Sequence, residues 1–160
     1  MTKITIICVG KIKEKFFSDA IDEYRKRLSR YCRLEIIEVI DEKTPDRAPD
    51  AICDQIRDKE GERILKALDD KAFTCTLEIA GKKFTSEGFS DFIKSCEVEG
   101  KSHIQFIIGG SLGLGKKVLE RSDMAISFSD MTFPHQLMRV ILLEQVYRAY
   151  RIINNEPYHK

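Results

Sequence analysis

The sequence has no tryptophan, no Cys-x-x-Cys pair, only three histidines and no apolar run of membrane-spanning length in its 160 residues. Each absence removes a class of protein. Without about 20 consecutive apolar residues there is no transmembrane helix. The run Ile4–Val9 is too short for a signal-peptide core, and its basic residues follow rather than precede it, so the expected location is cytoplasmic with no membrane partner. Cys8, Cys32, Cys53, Cys75 and Cys96 are odd in number and scattered, as are His103, His135 and His159. That spacing fits neither a disulfide framework nor a zinc site, so no metal is expected and the thiols read as small buried hydrophobes. Internal repeats, low-complexity tracts and domain boundaries are missing too, which predicts a single domain over residues 1–160.

What is present is a soluble globular composition, 42% hydrophobic and 33% charged, with a net charge of +1. That small net charge conceals an asymmetry. Residues 1–33 carry nine lysines and arginines against four acids, while residues 34–70 carry six against twelve. Arg25, Lys26, Arg27 and Arg30 form the densest basic cluster. It suits either a solvated helix face or a contact with nucleic acid.

Strand-like and helix-like stretches alternate. Lys3–Val9 reads as a buried strand, 14–31 as an amphipathic helix and Arg33–Ile40 as a second strand. Asp50 is expected to cap a helix to about Leu68 that tolerates Gly61 in its interior. Ala72–Ile79 alternates as a third strand, Gly81-Lys82-Lys83 reads as a turn, and a helix follows from about Ser86. His103–Ile108, a short helix over Lys116–Ser122, and Met124–Ser127 complete the series. The pattern predicts an α/β fold with a parallel-rich sheet covered on both faces.

The stretch Ser127–Ile153 stands apart. Pro134 suits a first helical turn, with Thr132 or Phe133 at the cap. From Leu137 onward apolar residues cover almost the whole circumference, leaving only Glu144, Gln145, Arg148 and Arg151 as a polar strip. Such a helix needs covering twice, by its own core and by a second copy of the chain, so a homodimer is expected. Arg139 falls on the apolar face, where it is either paired at an interface or placed to meet an anion.

The glycine loop Gly109–Lys117 (GGSLGLGKK) follows a strand end, where open α/β sheets bind ligands. A phosphate-binding reading places Lys117 where a hydroxyl residue should hold magnesium, and the following helix is very short. A loop whose backbone closes on a neutral or cationic cofactor is the stronger expectation.

The segments TLEIAGK (76–82), FIIGGSLGLG (106–115), FSDMTFPHQLMRVILLEQVYRAYRI (128–152), PYHK (157–160) and VGKIKEKF (9–16) together resemble the RlmH family of SPOUT methyltransferases. The resemblance implies a trefoil-knotted α/β fold, mostly parallel, and an obligate homodimer. It also implies S-adenosylmethionine as methyl donor and N3 of a pseudouridine in helix 69 of 23S ribosomal RNA as acceptor. Carried over by position, the cofactor contacts fall on Leu77, Gly109, Phe128, Ser129, Asp130, Met131, Thr132 and Phe133. No catalytic dyad is evident, and His135 and His159 are the candidates for the proton acceptor. Arg139, Arg25, Arg30 and the tail residues Tyr158, His159 and Lys160 are expected to contact the RNA, with the tail ordering over the target base. A ribosome-binding dimer without catalytic activity and a nucleotidase stand as the other readings.

Overall fold

A computed structural model describes residues 1–160. Five strands, β1 (Lys3–Val9), β2 (Arg33–Val39), β3 (Phe73–Lys83), β4 (His103–Ile108) and β5 (Met124–Ser127), form one sheet in the order β2-β1-β4-β3-β5. Every pairing is parallel. The central strands carry short apolar runs because both faces are covered, as all-parallel sheets require.

Period-two alternation divides the core between the faces. Ile4, Ile6, Cys8, Ile104, Phe106 and Ile108 enter the larger cluster. That cluster is closed by α1 (Lys15–Leu28), α3 (Ser86–Val98) and α5 (His135–Ile153). Ile7, Val9 and Ile107 point the other way, onto Ile64 of α2 (Asp50–Ala67) and Val118 of α4 (Lys116–Arg121). Leu142, Leu143 and Val146 of α5 are fully buried, each burial worth about 1.5–3 kcal/mol.

The expected boundaries hold for β1, β4, β5 and the start of α3, and shift elsewhere in instructive ways. The α1 helix stops at Leu28, short of the predicted 31, and α2 runs unbroken through Gly61. Asp50 is the first helical residue of α2 rather than its cap, and Pro134 takes the cap position of α5 without a side-chain bond. Gly81-Lys82-Lys83 is not a turn. It prolongs β3, whose Leu77 and Lys82 both pair with Ile126 across an irregularity in register. A Cβ on Gly81 would lie 2.7 Å from the backbone of Ala125 and Ile126, so only glycine lets β5 come this close. The alternation seen at 72–79 could not reveal this, because the bulge breaks the period.

Candidate cofactor cleft and the carboxy-terminal seam

A cleft of about 850 Å³ opens at the carboxyl ends of β4 and β5 and beside the irregular middle of β3, bounded by 77–80, the glycine loop 108–114 and the segment 128–135 that leads into α5. Ligands of open α/β sheets bind at such strand ends. The glycine loop folds back on itself, with Gly113 N–H donating to the Gly110 carbonyl at 3.1 Å. A Cβ on Gly109 would stand 2.8 Å from the Gly113 backbone, so this turn closes only around glycine. From behind, Arg57 of α2 donates to the Leu112 carbonyl at 3.3 Å. Glu60 lies buried against Gly110 and accepts the Glu42 amide at 3.0 Å. Burial raises the Glu60 carboxyl above its ordinary range.

The walls are largely apolar and backbone. No lysine or arginine lines the cleft, Glu78 is its one acid, and His135 its one imidazole. His135 Nδ1 is buried without a hydrogen-bond partner. Burial first, and the nearby Arg139 charge second, lower the His135 pKa, which favours the neutral ring able to accept a proton. The lining does not suit a polyphosphate, and Lys116, where a phosphate-binding lysine would sit, is solvent-exposed and paired with Glu120. The nucleotidase reading therefore fails on charge.

Of the eight expected cofactor residues, Leu77, Gly109, Phe128, Ser129, Met131, Thr132 and Phe133 line this cleft. Asp130 does not. Its carboxylate turns outward to Lys83 at 2.7 Å and fastens the segment to β3. Ser129 Oγ accepts the Met131 amide at 2.9 Å, shaping the turn between them. Several lining residues escaped the sequence reading, first among them Glu78, and with it the apolar Ile79, Ala80, Leu119, Ile126 and Met138. An acid one residue past Leu77, near the expected end of that strand, was the available signal for the first.

Residues 2–159 match the model of the family described as Predicted SPOUT methyltransferase. The chain belongs to that family. It is also 61% identical over 158 residues to the ribosomal RNA large subunit methyltransferase H of Bifidobacterium adolescentis, covering 99% of each chain. The proteins of that name from Bifidobacterium animalis subsp. lactis and Clostridium botulinum are each 60% identical over 157 residues, covering 98% of this chain and 99% of theirs. Membership brings the knotted SPOUT fold, an exception to the general rule of unknotted connections, and S-adenosylmethionine as methyl donor. The cleft suits that donor: its glycine-closed, apolar walls admit an adenosine, and its single acid is of the sign that attracts a sulfonium.

The residues expected to meet RNA lie elsewhere. Arg139 is 1% exposed and donates to Glu38 Oε2 and to the Gly10 carbonyl, each at 2.6 Å. It is neither free for a phosphate nor directed at a second copy, and it ties α5 to the ends of β1 and β2. A helical wheel places Arg139 on the inward face but cannot supply Glu38, which is 101 residues away in sequence.

The tail is docked rather than frayed, and none of it lines the cleft of its own protomer. The Tyr158 hydroxyl donates to Glu144 at 3.0 Å, its ring meets Tyr147 edge-on at 4.9 Å, and Arg148 lies over it at 4.7 Å. Arg148 also donates to His159 Nδ1 at 3.1 Å. Because arginine only donates, Nδ1 must accept, and Nε2–H is left to donate to Glu87 at 2.7 Å. The ring nitrogen of His159 that could take a proton is thus already occupied. Arg151 binds Glu156, the Pro157 carbonyl and Tyr31. Lys160 stays exposed. Arg25 on α1 and Arg30 in the turn after it are exposed, with Arg30 over the Tyr31 ring at 5.3 Å.

Proposed function

We propose that residues 1–160 form one methyltransferase domain that moves a methyl group from S-adenosylmethionine to N3 of a pseudouridine in helix 69 of 23S ribosomal RNA. The observation that carries this reading is identity of about 60%, end to end, with relatives named ribosomal RNA large subunit methyltransferase H. When bound, the cofactor supplies an already activated methyl group, so the protein mainly aligns and desolvates.

In this reading the backbone of 128–133 and the loop at Gly109 hold the adenosine between Leu77 and the apolar wall. Neutral His135, at the mouth of α5, accepts the imide proton of the acceptor base. Its unpartnered Nδ1, on a ring that burial keeps neutral, favours it over His159, whose two nitrogens are both bonded.

The protomer is proposed to work as a homodimer through the first half of α5. Leu137, Val140 and Ile141 stay only partly covered there. Met131 and Phe16 are 74% and 63% exposed on flanking segments, and the Lys13 amide bonded to Gln136 brings the chain before α1 alongside. Arg25 and Arg30 meet the RNA backbone, and Tyr158, His159 and Lys160 join the active site either by leaving the seam or by serving the partner's cleft.

Methyl incorporation should be measured into free 23S RNA, separated subunits and whole ribosomes, with the modified nucleoside identified by mass spectrometry. Methylpseudouridine in at least one substrate is the expected result. Binding of ribosomes without incorporation into any of them would favour a dimer without catalytic activity.

A further inference from the structure

Charge is scarce in the cofactor cleft, and where it occurs its sign is informative. Among its 21 lining residues Glu78 is the only acid, with no lysine or arginine to offset it. Its Oε2 accepts from Thr76 Oγ1 at 2.7 Å, which fixes the carboxylate in β3 just past Leu77, where the register with β5 breaks. No cation within the protein pairs with it, whereas nearby Asp130 is neutralised by Lys83. With its one proton given to Glu78, Thr76 Oγ1 can only accept from Ser122 Oγ at 3.0 Å, so the carboxylate rests on a built polar support. An ionised group held in a largely apolar cleft acts on a bound charge more strongly than it would in water.

We propose that Glu78 makes the cleft prefer the cationic sulfonium donor over the neutral thioether that remains after methyl transfer. The inference rests on the cofactor assignment of this cleft. Donor and product share the adenosine, the ammonium and the carboxylate, and differ by one positive charge at sulfur. Contacts to the shared parts therefore cancel in the ratio of the two affinities, while a nearby fixed negative charge does not. The consequence is a cleft that loads the donor in the presence of its own product, because the charge strengthens donor binding and leaves the affinity for the neutral product nearly unchanged.

Calorimetry with S-adenosylmethionine and S-adenosylhomocysteine on the full chain tests this, using Glu78→Gln and Glu78→Asp. Glutamine keeps an oxygen that can accept from Thr76 and removes only the charge. Glu78→Gln should weaken the methyl donor by roughly three- to tenfold, a charge–charge effect discounted for partial exposure, and leave the thioether within about twofold. Glu78→Asp should retain most of the preference, and added salt should narrow the gap between the unmodified protein and Glu78→Gln. Equal weakening of both ligands would mean an uncharged hydrogen-bonding role and would overturn the inference, as would no change in either. Failure of the unmodified protein to bind both compounds would instead overturn the cofactor assignment, and this inference with it.

Discussion

The cleft and the carboxy-terminal seam are built from opposite materials. At the seam, Glu144 accepts from Gln145, Arg148 and Tyr158, Arg151 binds three partners, and both His159 nitrogens are bonded. In the cleft, His135 Nδ1 has no partner and Glu78 no counter-ion. By residue type the seam looks the more chemical of the two, with its tyrosines, arginines and histidine. Yet polar groups that have satisfied one another hold structure together, and the groups left unsatisfied are the ones available to a ligand. Chemistry is better sought where hydrogen-bonding capacity remains open than where reactive residue types accumulate.

The largest effect that would break this contrast is loss of the cleft's backbone. Thr132→Pro removes an N–H and restricts Met131, so cofactor binding should become undetectable by calorimetry while the far-ultraviolet spectrum stays native. Unchanged affinity would move the cofactor away from 128–133.

Deleting residues 157–160 asks whether the seam is only structural. Cofactor affinity should stay within about twofold, because no tail residue lines the cleft, whereas methyl transfer should fall more than about a hundredfold if the tail joins the active site. Full methylation by the truncated protein would leave the seam with a purely architectural role.

His135→Asn should lower the rate about a hundredfold, with cofactor affinity nearly unchanged. The histidine's folded pKa lies below its ordinary 6.5, so its stabilising contribution is complete above that pH. Below it the unfolded chain binds more protons, and that contribution is lost as pH falls toward the lowered value. Denaturant midpoints between pH 7 and 5 should therefore drop less for His135→Asn than for the unmodified chain.

The smallest effects separate Arg139 from the surface arginines. Arg139→Met strands the partly exposed Glu38 and the Gly10 carbonyl, costing about 2–4 kcal/mol on chemical denaturation. It should leave the salt dependence of RNA binding unchanged in the folded fraction. Arg25→Ala and Arg30→Ala should cost less than about 0.5 kcal/mol in stability and each flatten the log affinity against log salt slope by about 0.7. A flattened slope for Arg139→Met would return it to the RNA interface.

Much of this molecule was legible in one dimension. Continuous apolar runs marked β1 and β4, 3.6-residue spacing marked α1 and α3, and the run 128–133 together with Gly109 carried most of the cleft through family resemblance. These signals are local: a strand's alternation or a helix's stripe is written in neighbouring residues. What the sequence could not decide was who pairs with whom. The extension of β3 past Gly81 depends on the approach of β5, the burial of Arg139 on Glu38, and the closed hydrogen-bonding of His159 on Arg148 and Glu87. Each is a contact between elements distant along the chain. Whether a polar side chain is occupied or available is a property of those contacts, so the residues alone determined the fold class and the location of the cleft, while tertiary packing decided which of the candidate side chains remained free to act.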